Sequence, residues 1–348
     1  MRGIRVRLER LSKRFGHVVA VQALDLEVAP GELLALLGPS GCGKSTTLLM
    51  IAGIYQPTAG AIYFGERRVD HLPPRDRDVG MVFQSYALYP HLTLFENIAF
   101  PLRLKRRSSV EVTRVVRRTA ELLGIAPVLD RYPAQVSGGQ QQRAALARAL
   151  VKEPQVLLLD EPLSNLDAQI RVQARGEIRR LQQELGITTM LVTHDQAEAL
   201  AMADRVAVFS MGQLLQVATP DELYRRPANT FVARFVGHPP MNVLEGTFTD
   251  GQFVAGSLRF PLLVAAPPGP GYLGIRPEDA HLRGSIPGRV VVVESQGRHA
   301  LVTVDVGGVE LKVLVDQGDR PAVGAQVGVG VEPPAVHLFD MSGVRIEP

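Results

Sequence analysis

The chain has 348 residues, 46% of them apolar, and a formal net charge of +3. That length sets two domains as the expectation, and so small a charge excludes a dedicated nucleic-acid-binding face. One cysteine excludes an internal disulfide and fits a reducing compartment, and no apolar run approaches the ~18 residues of a membrane span.

Met1–Arg7 is charged and lacks the apolar core of a signal peptide, so any work at a membrane is expected to run through a partner. Residues 4–30 alternate apolar and polar positions and read as half-exposed strands of a sheet edge. Phe15 lies where the chain turns between them. Its ring either stacks on a purine base or packs the hairpin end.

Glu32–Leu37 is a buried-strand run, followed by Gly38-Pro39-Ser40-Gly41-Cys42-Gly43-Lys44-Ser45-Thr46 and a helical segment from Thr46. This is G-x-x-x-x-G-K-[ST] in its strand–turn–helix context. Glycines let backbone N–H groups curl around an anion, and the helix N-terminus adds partial positive charge. Lys44 is placed for the β- and γ-phosphates, and the Ser45 hydroxyl for Mg²⁺. Nucleotide binding follows.

Val79–Phe83 reads as a short strand ended by Gln84, a position from which a side chain reaches metal or an attacking water. Residues 93–131 have a helical pattern, with Thr93 and Glu96 as a capping box and a basic run from Arg103 to Arg107. Pro133 interrupts it before Val136-Ser137-Gly138-Gly139-Gln140, a second glycine-rich anion site expected to open a helix over Ala144–Val151. One phosphate tail does not need two such sites unless a second chain supplies one.

Val156–Asp160 is a buried strand delivering Asp160 to its carboxyl end, the pattern of a carboxylate that holds Mg²⁺ through water. Glu161 points the other way and is placed to orient or deprotonate a water. Ala168–Leu185 is an amphipathic helix closed by Gly186. Thr188–Thr193 is another buried strand, ending at His194, on the same edge as Gln84 and Asp160. Around Gly237-His238-Pro239-Pro240 the texture changes to short alternating strands, which argue a small β-barrel or sandwich.

In this order, the motifs across residues 4–235 resemble the ATPase subunits of ATP-binding-cassette (ABC) transporters. Gly38–Thr46 corresponds to the Walker A loop, Gln84 to the Q-loop and Val136–Gln140 to the signature peptide. Val156–Asp160 corresponds to Walker B, Glu161 to the catalytic glutamate, Ser164–Asp167 to the D-loop, His194 to the switch histidine and Phe15 to the adenine-stacking aromatic. Val136 departs from the family's usual leucine. Phe83–His91, Pro240-Met241-Asn242 and Gly274–Asp279 look like the maltose/multiple-sugar importers, and less closely like the glycerol-3-phosphate, polyamine and ferric-iron importers.

The resemblance implies an α/β P-loop cassette at 1–236, with a helical subdomain at about 86–150, and an all-β, OB-like regulatory domain at 237–348. It implies an ATPase using ATP and Mg²⁺, with Lys44, Gln84, Glu161 and His194 catalytic and Ser45, Gln84 and Asp160 at the metal. It also implies a head-to-tail homodimer in which Ser137, Gly138, Gly139 and Gln140 of one chain close on ATP held by the other. Two transmembrane permease subunits, an indirectly engaged extracytoplasmic solute-binding protein and a regulator of the C-terminal domain are the further partners it implies. The expected place is the cytoplasmic face of the membrane. A non-transport ABC ATPase or a regulator-binding protein is the rival class.

Overall fold

A computed structural model describes residues 3–262, 266–331 and 335–346; Met1 and Arg2 of the charged N-terminal stretch lie outside them. The chain divides into two compact units, Met1–Pro220 and Asp221–Pro348.

The first unit is built on a sheet in the order β10-β9-β3-β8-β7-β6. Its strands are β3 (Leu33–Leu37), β6 (Val79–Val82), β7 (Val156–Asp160), β8 (Thr188–Thr193), β9 (Arg205–Ser210) and β10 (Gln213–Ala218). All neighbours are parallel except β9 and β10. The register sets Leu37 beside Thr193 and Val208, and Asp160 beside Val192, so the carboxyl ends finish along one edge. β3 and β8 are buried at every position; β3 reads as a continuous apolar run, while β8 buries three threonines beside Met190, Leu191 and Val192.

The N-terminal strands do not join that sheet's edge. β1 (Val6–Phe15) and β2 (Val18–Val28) form a separate antiparallel sheet with β4 (Ala59–Phe64) and β5 (Arg67–Arg68), in the order β2-β1-β4-β5. Alternation fits both arrangements, because either leaves one face solvated. The inner face of this sheet, with Val6, Leu8, Val21 and Leu24, shares a core with Leu34 and Leu36 of β3 and with Leu48 and Ile51 of α1 (Lys44–Ala52).

The helical part holds α2 (Leu94–Leu104), α3 (Ser109–Leu122) and α4 (Gly138–Leu150), and has its own core of Leu94, Ile98, Val116 and Ala147, with Val136 packed against it. Thr93 and Glu96 form the expected capping box. Near the far end of α4, Arg148 donates to the carbonyls of Tyr86 (2.8 Å) and Ala87 (2.7 Å), and Asn97, fully buried, binds both backbone groups of Tyr89. The cassette is completed by α5 (Ala168–Leu185), closed by Gly186 in the left-handed conformation, and α6 (Gln196–Met202).

The second unit opens with α7 (Pro220–Arg225) and α8 (Thr230–Phe235). Among the described residues nine strands follow: β11 (Asn242–Thr249), β12 (Gln252–Ala255), β13 (Leu258–Pro261), β14 (Gly269–Ile275), β15 (Ala280–Gln296), β16 (His299–Asp305), β17 (Glu310–Asp316), β18 (Gln326–Val331) and β19 (Val336–Asp340). They make two antiparallel sheets, β13-β12-β11-β14-β19 and β17-β16-β15-β18, around one core that includes Phe253, Leu273, Val302 and Val313. This is the expected all-β, OB-like module.

The division falls at 220, ahead of the expected 236. Buried Arg276 explains the difference: its guanidinium donates to the carbonyls of Tyr224 and Val236 and lies 3.5 Å over the Tyr224 ring, strapping α7 and the end of α8 to the β-module. Asn242 bridges the two sheets, donating to Ile275 O and Lys312 O and accepting from Lys312 N.

Two expectations follow. Arg77, 3% exposed, donates to the carbonyls of Met50, Ile51, Asp70 and Leu72 and so closes the end of α1. Arg77→Met removes the buried donor from all four carbonyls, of which Met50 O keeps the Gly53 N–H, and should cost about 3 kcal/mol in urea unfolding.

In the second unit, burial and the charges of Arg345 and Arg276 push His337 down to about 4, while Arg345 Nη1 donates to its Nδ1 at 2.9 Å. The unfolded residue protonates near its ordinary 6.5, so this contribution is complete above 6.5 and is lost as pH falls toward 4. Thermal melts should show the second unit weakening across that window by up to about 3 kcal/mol, with a flatter profile in His337→Gln.

Candidate nucleotide site

The phosphate loop joins β3 to α1. Backbone passing close behind it requires its glycines. Gly43 has φ 104°, and a Cβ there would stand 2.3 Å from Ala20 O; one on Gly38 would stand 2.4 Å from Phe209 O. Pro39, Ser40 and Gly41 are exposed, whereas Cys42, Gly43 and Lys44 are buried. The Lys44 ammonium donates to Gly38 O and Pro39 O, each at 2.8 Å, and lies 3.6 Å from Cys42 Sγ. It is thus held inside the loop by weak carbonyl partners that a phosphate oxygen outcompetes. Thr46, on the first turn of α1, is half-buried, and Thr47 turns its hydroxyl back to Gly43 O.

The Ser45 hydroxyl donates to Asp160 Oδ1 at 2.8 Å, linking the start of α1 to the end of β7. Burial pushes the Asp160 carboxyl above its ordinary range; the Ser45 hydrogen bond opposes the rise, Glu161's charge adds to it and Lys44 opposes it. Such a desolvated carboxylate gains from a cation. One hydroxyl and one carboxylate are the oxygen donors that Mg²⁺ takes while keeping waters and phosphate oxygens in its remaining positions.

Glu161 is the meeting point of the other predicted residues. Its φ of 45° turns the chain at the end of β7, and its N–H donates to Val192 O at 3.0 Å. The carboxylate accepts from Gln84 Nε2 at 3.1 Å, and His194 Nδ1 lies 3.1 Å from its other oxygen. Three strands, β6, β7 and β8, therefore deliver one side chain each to one point.

Backbone-directed hydrogen bonds hold this cluster. Asn165 donates to Gln84 O at 2.7 Å, and the Ser164 hydroxyl to Glu161 O at 3.0 Å. Behind His194, the Thr193 hydroxyl donates to buried Glu198 at 2.7 Å and accepts from Asp195 N. Asn165 and Ser164 fall within Ser164–Asp167, but nothing in their spacing announces which carbonyls they bind.

Phe15 stands 44% exposed at the end of β1, edge-on to Tyr55 at 5.4 Å, with Lys13 Nζ 5.0 Å from its ring centre. A platform with an exposed ring suits base stacking.

The glycine-rich peptide lies elsewhere. Here the structure corrects the expected helix: α4 begins at Gly138, not Ala144, and Ser137 is its N-cap. Ser137 Oγ accepts from Gln140 N, and Gln140 Oε1 accepts from Ser137 N, a capping box that overrides the low helix propensity of two glycines. Gly138 is exposed, and Gly138 and Gly139 face Leu166 and Ile170. Among the described residues no hydrogen bond joins Ser137–Gln140 to the phosphate loop.

A family model described as "ABC transporter" matches residues 21–164, and one described as "TOBE domain" matches residues 273–339. The trehalose/maltose import ATP-binding protein MalK of Thermococcus litoralis is 48% identical over 96% of this chain and 97% of its own length. The sn-glycerol-3-phosphate import ATP-binding protein UgpC of Yersinia pseudotuberculosis is 42% identical over 99% of both. Among solved structures, the dimeric cassette MJ0796 in a post-hydrolysis state with ADP and Pi matches at a TM-score of 0.56 and 31% identity, covering 62% of this chain and 98% of its own. Motif order, strand-edge geometry and near-full-length identity agree: the chain belongs to the ATP-binding-cassette transporter ATPases.

Proposed function

We propose that this chain hydrolyses ATP to drive uptake of a sugar or sugar-derived solute, working as a head-to-tail pair beneath two membrane-spanning permease subunits at the cytoplasmic face. The observation that carries the catalytic reading is the convergence of Gln84 and His194 on Glu161, beside the loop that holds Lys44. The cargo reading rests on relatives named for trehalose/maltose and for glycerol-3-phosphate import.

In this reading Phe15 stacks on adenine. The phosphate-loop amides from Gly38 to Thr46 wrap the phosphates, and Lys44 exchanges its two carbonyl partners for phosphate oxygens. Ser45, Asp160 and Gln84 would hold Mg²⁺, which would offset charge on the phosphates. Glu161 orients a water and takes its proton as the water oxygen bonds to the γ-phosphorus; the bond to the bridging oxygen breaks and ADP leaves with that electron pair. Gln84 and His194 hold the Glu161 carboxylate in line, and His194 turns toward the γ-phosphate when the site fills.

Ser137, Gly138, Gly139 and Gln140 of a second copy complete the site. Their position at the start of α4, with Ser137 and Gly138 exposed, supports that assignment, since a helix N-terminus offers N–H donors and partial positive charge to an anion. An extracytoplasmic solute-binding protein delivers cargo to the permease, and the second unit is available to a regulator.

Glu161→Gln should keep ATP binding, shift the chain to a dimer in size-exclusion chromatography with ATP, and lower kcat by about 10²–10⁴-fold. Near-normal turnover in the assembled transporter would remove Glu161 from the base role. Cys42 is buried 3.6 Å from the Lys44 ammonium, so maleimide modification should be slow, slower still with ATP, and should abolish hydrolysis in the labelled fraction. Uptake of labelled trehalose or maltose against glycerol-3-phosphate, by vesicles holding the whole transporter, tests the cargo class.

A further inference from the structure

The basic run noted in the sequence takes no part in the nucleotide site. The last turn of α2 carries Arg103, the turn between α2 and α3 carries Lys105, Arg106 and Arg107, and the solvent face of α3 adds Arg114, Arg117 and Arg118, all exposed. The opposite face of α3 buries Val112, Val116, Thr119 and Ala120 in the helical core, so the cations cannot turn inward. Glu111 and Glu121 are the only carboxylates from 103 to 122. Seven cations against two carboxylates, in a chain of net charge +3, leave everything outside this stretch net negative.

Within the patch the salt bridge among the described residues is Arg107–Glu111, at 3.2 Å. The field extends to Lys152, which burial and then the like charge of Lys105 push below its ordinary value. Two aliphatic side chains stand out among the cations: Leu104, 70% exposed, and Val110, 79% exposed.

We propose that the α2–α3 turn and the solvent face of α3 form a docking surface for the anionic headgroups of a phospholipid bilayer. Charge complementarity selects an anionic partner, and the form of the patch selects lipid. A cluster of Lys and Arg on a helix face is the pattern that pairs with anionic headgroups, and the exposed tips of Leu104 and Val110 are placed to enter the headgroup boundary. Residues 103–122 contain no Trp, Tyr or Phe. Single-stranded nucleic acid stacks on such rings, so their absence argues against it. That a membrane is at hand rests on the importer reading, but lipid binding is measured on the full chain alone and can fail or succeed independently of it.

The test is flotation of the purified chain with vesicles of phosphatidylglycerol in phosphatidylcholine and with phosphatidylcholine alone, at low and high salt. Binding should require the anionic lipid, fall with salt, and drop about tenfold or more in the combined variant Arg114→Gln, Arg117→Gln, Arg118→Gln. A variant removing equal charge elsewhere, Arg67→Gln, Arg75→Gln, Arg298→Gln, should bind nearly as wild type. Leu104→Ser with Val110→Ser should weaken binding without changing its salt dependence, and ATPase activity should be retained in all three. Equal losses in both arginine variants would reduce the effect to net charge and overturn the proposal. So would equal binding to neutral vesicles, or soluble polyglutamate bound as tightly as the anionic vesicle, which would assign the patch to an acidic protein.

Discussion

The parallel register of β6, β7, β8 and β3 is the constraint on which the nucleotide site depends. Each strand is largely buried, and the charged and amide side chains of the site come only where the strands end. Because the ends align, Gly38, Gln84, Glu161 and His194, far apart in the chain, come out on one edge. A one-residue slip of β7 would turn Asp160 from the Ser45 hydroxyl and carry Glu161 away from both its partners. The hydrophobic burial of the strands therefore fixes the polar geometry as well.

At that edge, adjacent acids are forced apart. Asp160 finishes the strand and faces α1, while Glu161 adopts a left-handed backbone conformation that costs a non-glycine residue about 1–3 kcal/mol and aims it at Gln84 and His194. Its N–H on Val192 and its carbonyl under Ser164 hold the turn in place. Two carboxylates in sequence thus face different partners, one beside the phosphate-loop hydroxyl and one among neutral and titratable nitrogen donors.

Most of this site was legible because its residues are tied to local pattern: an apolar run, then a turn residue, then a named side chain. What stayed hidden depended on contacts between distant segments. The alternation of residues 4–30 announced strands but not their sheet, since either sheet solvates one face. Two glycines at 138 and 139 concealed the start of α4, because the capping box that stabilises it outweighs their propensity. The unit boundary escaped because Arg276, which gathers α7 and α8, lies about forty residues beyond the linker signal. Asn165 gave no hint of its hold on Gln84 O for the same reason.

One helix joins features that function keeps apart. α4 starts at the glycine-rich peptide and, about 15 Å along at ~1.5 Å per residue, brings Arg148 to the carbonyls of Tyr86 and Ala87. Those carbonyls sit in left-handed residues just past Gln84. The helix is thus a strut with a loaded foot. One rigid helix and two hydrogen bonds therefore join the glycine-rich peptide to the segment that carries Gln84.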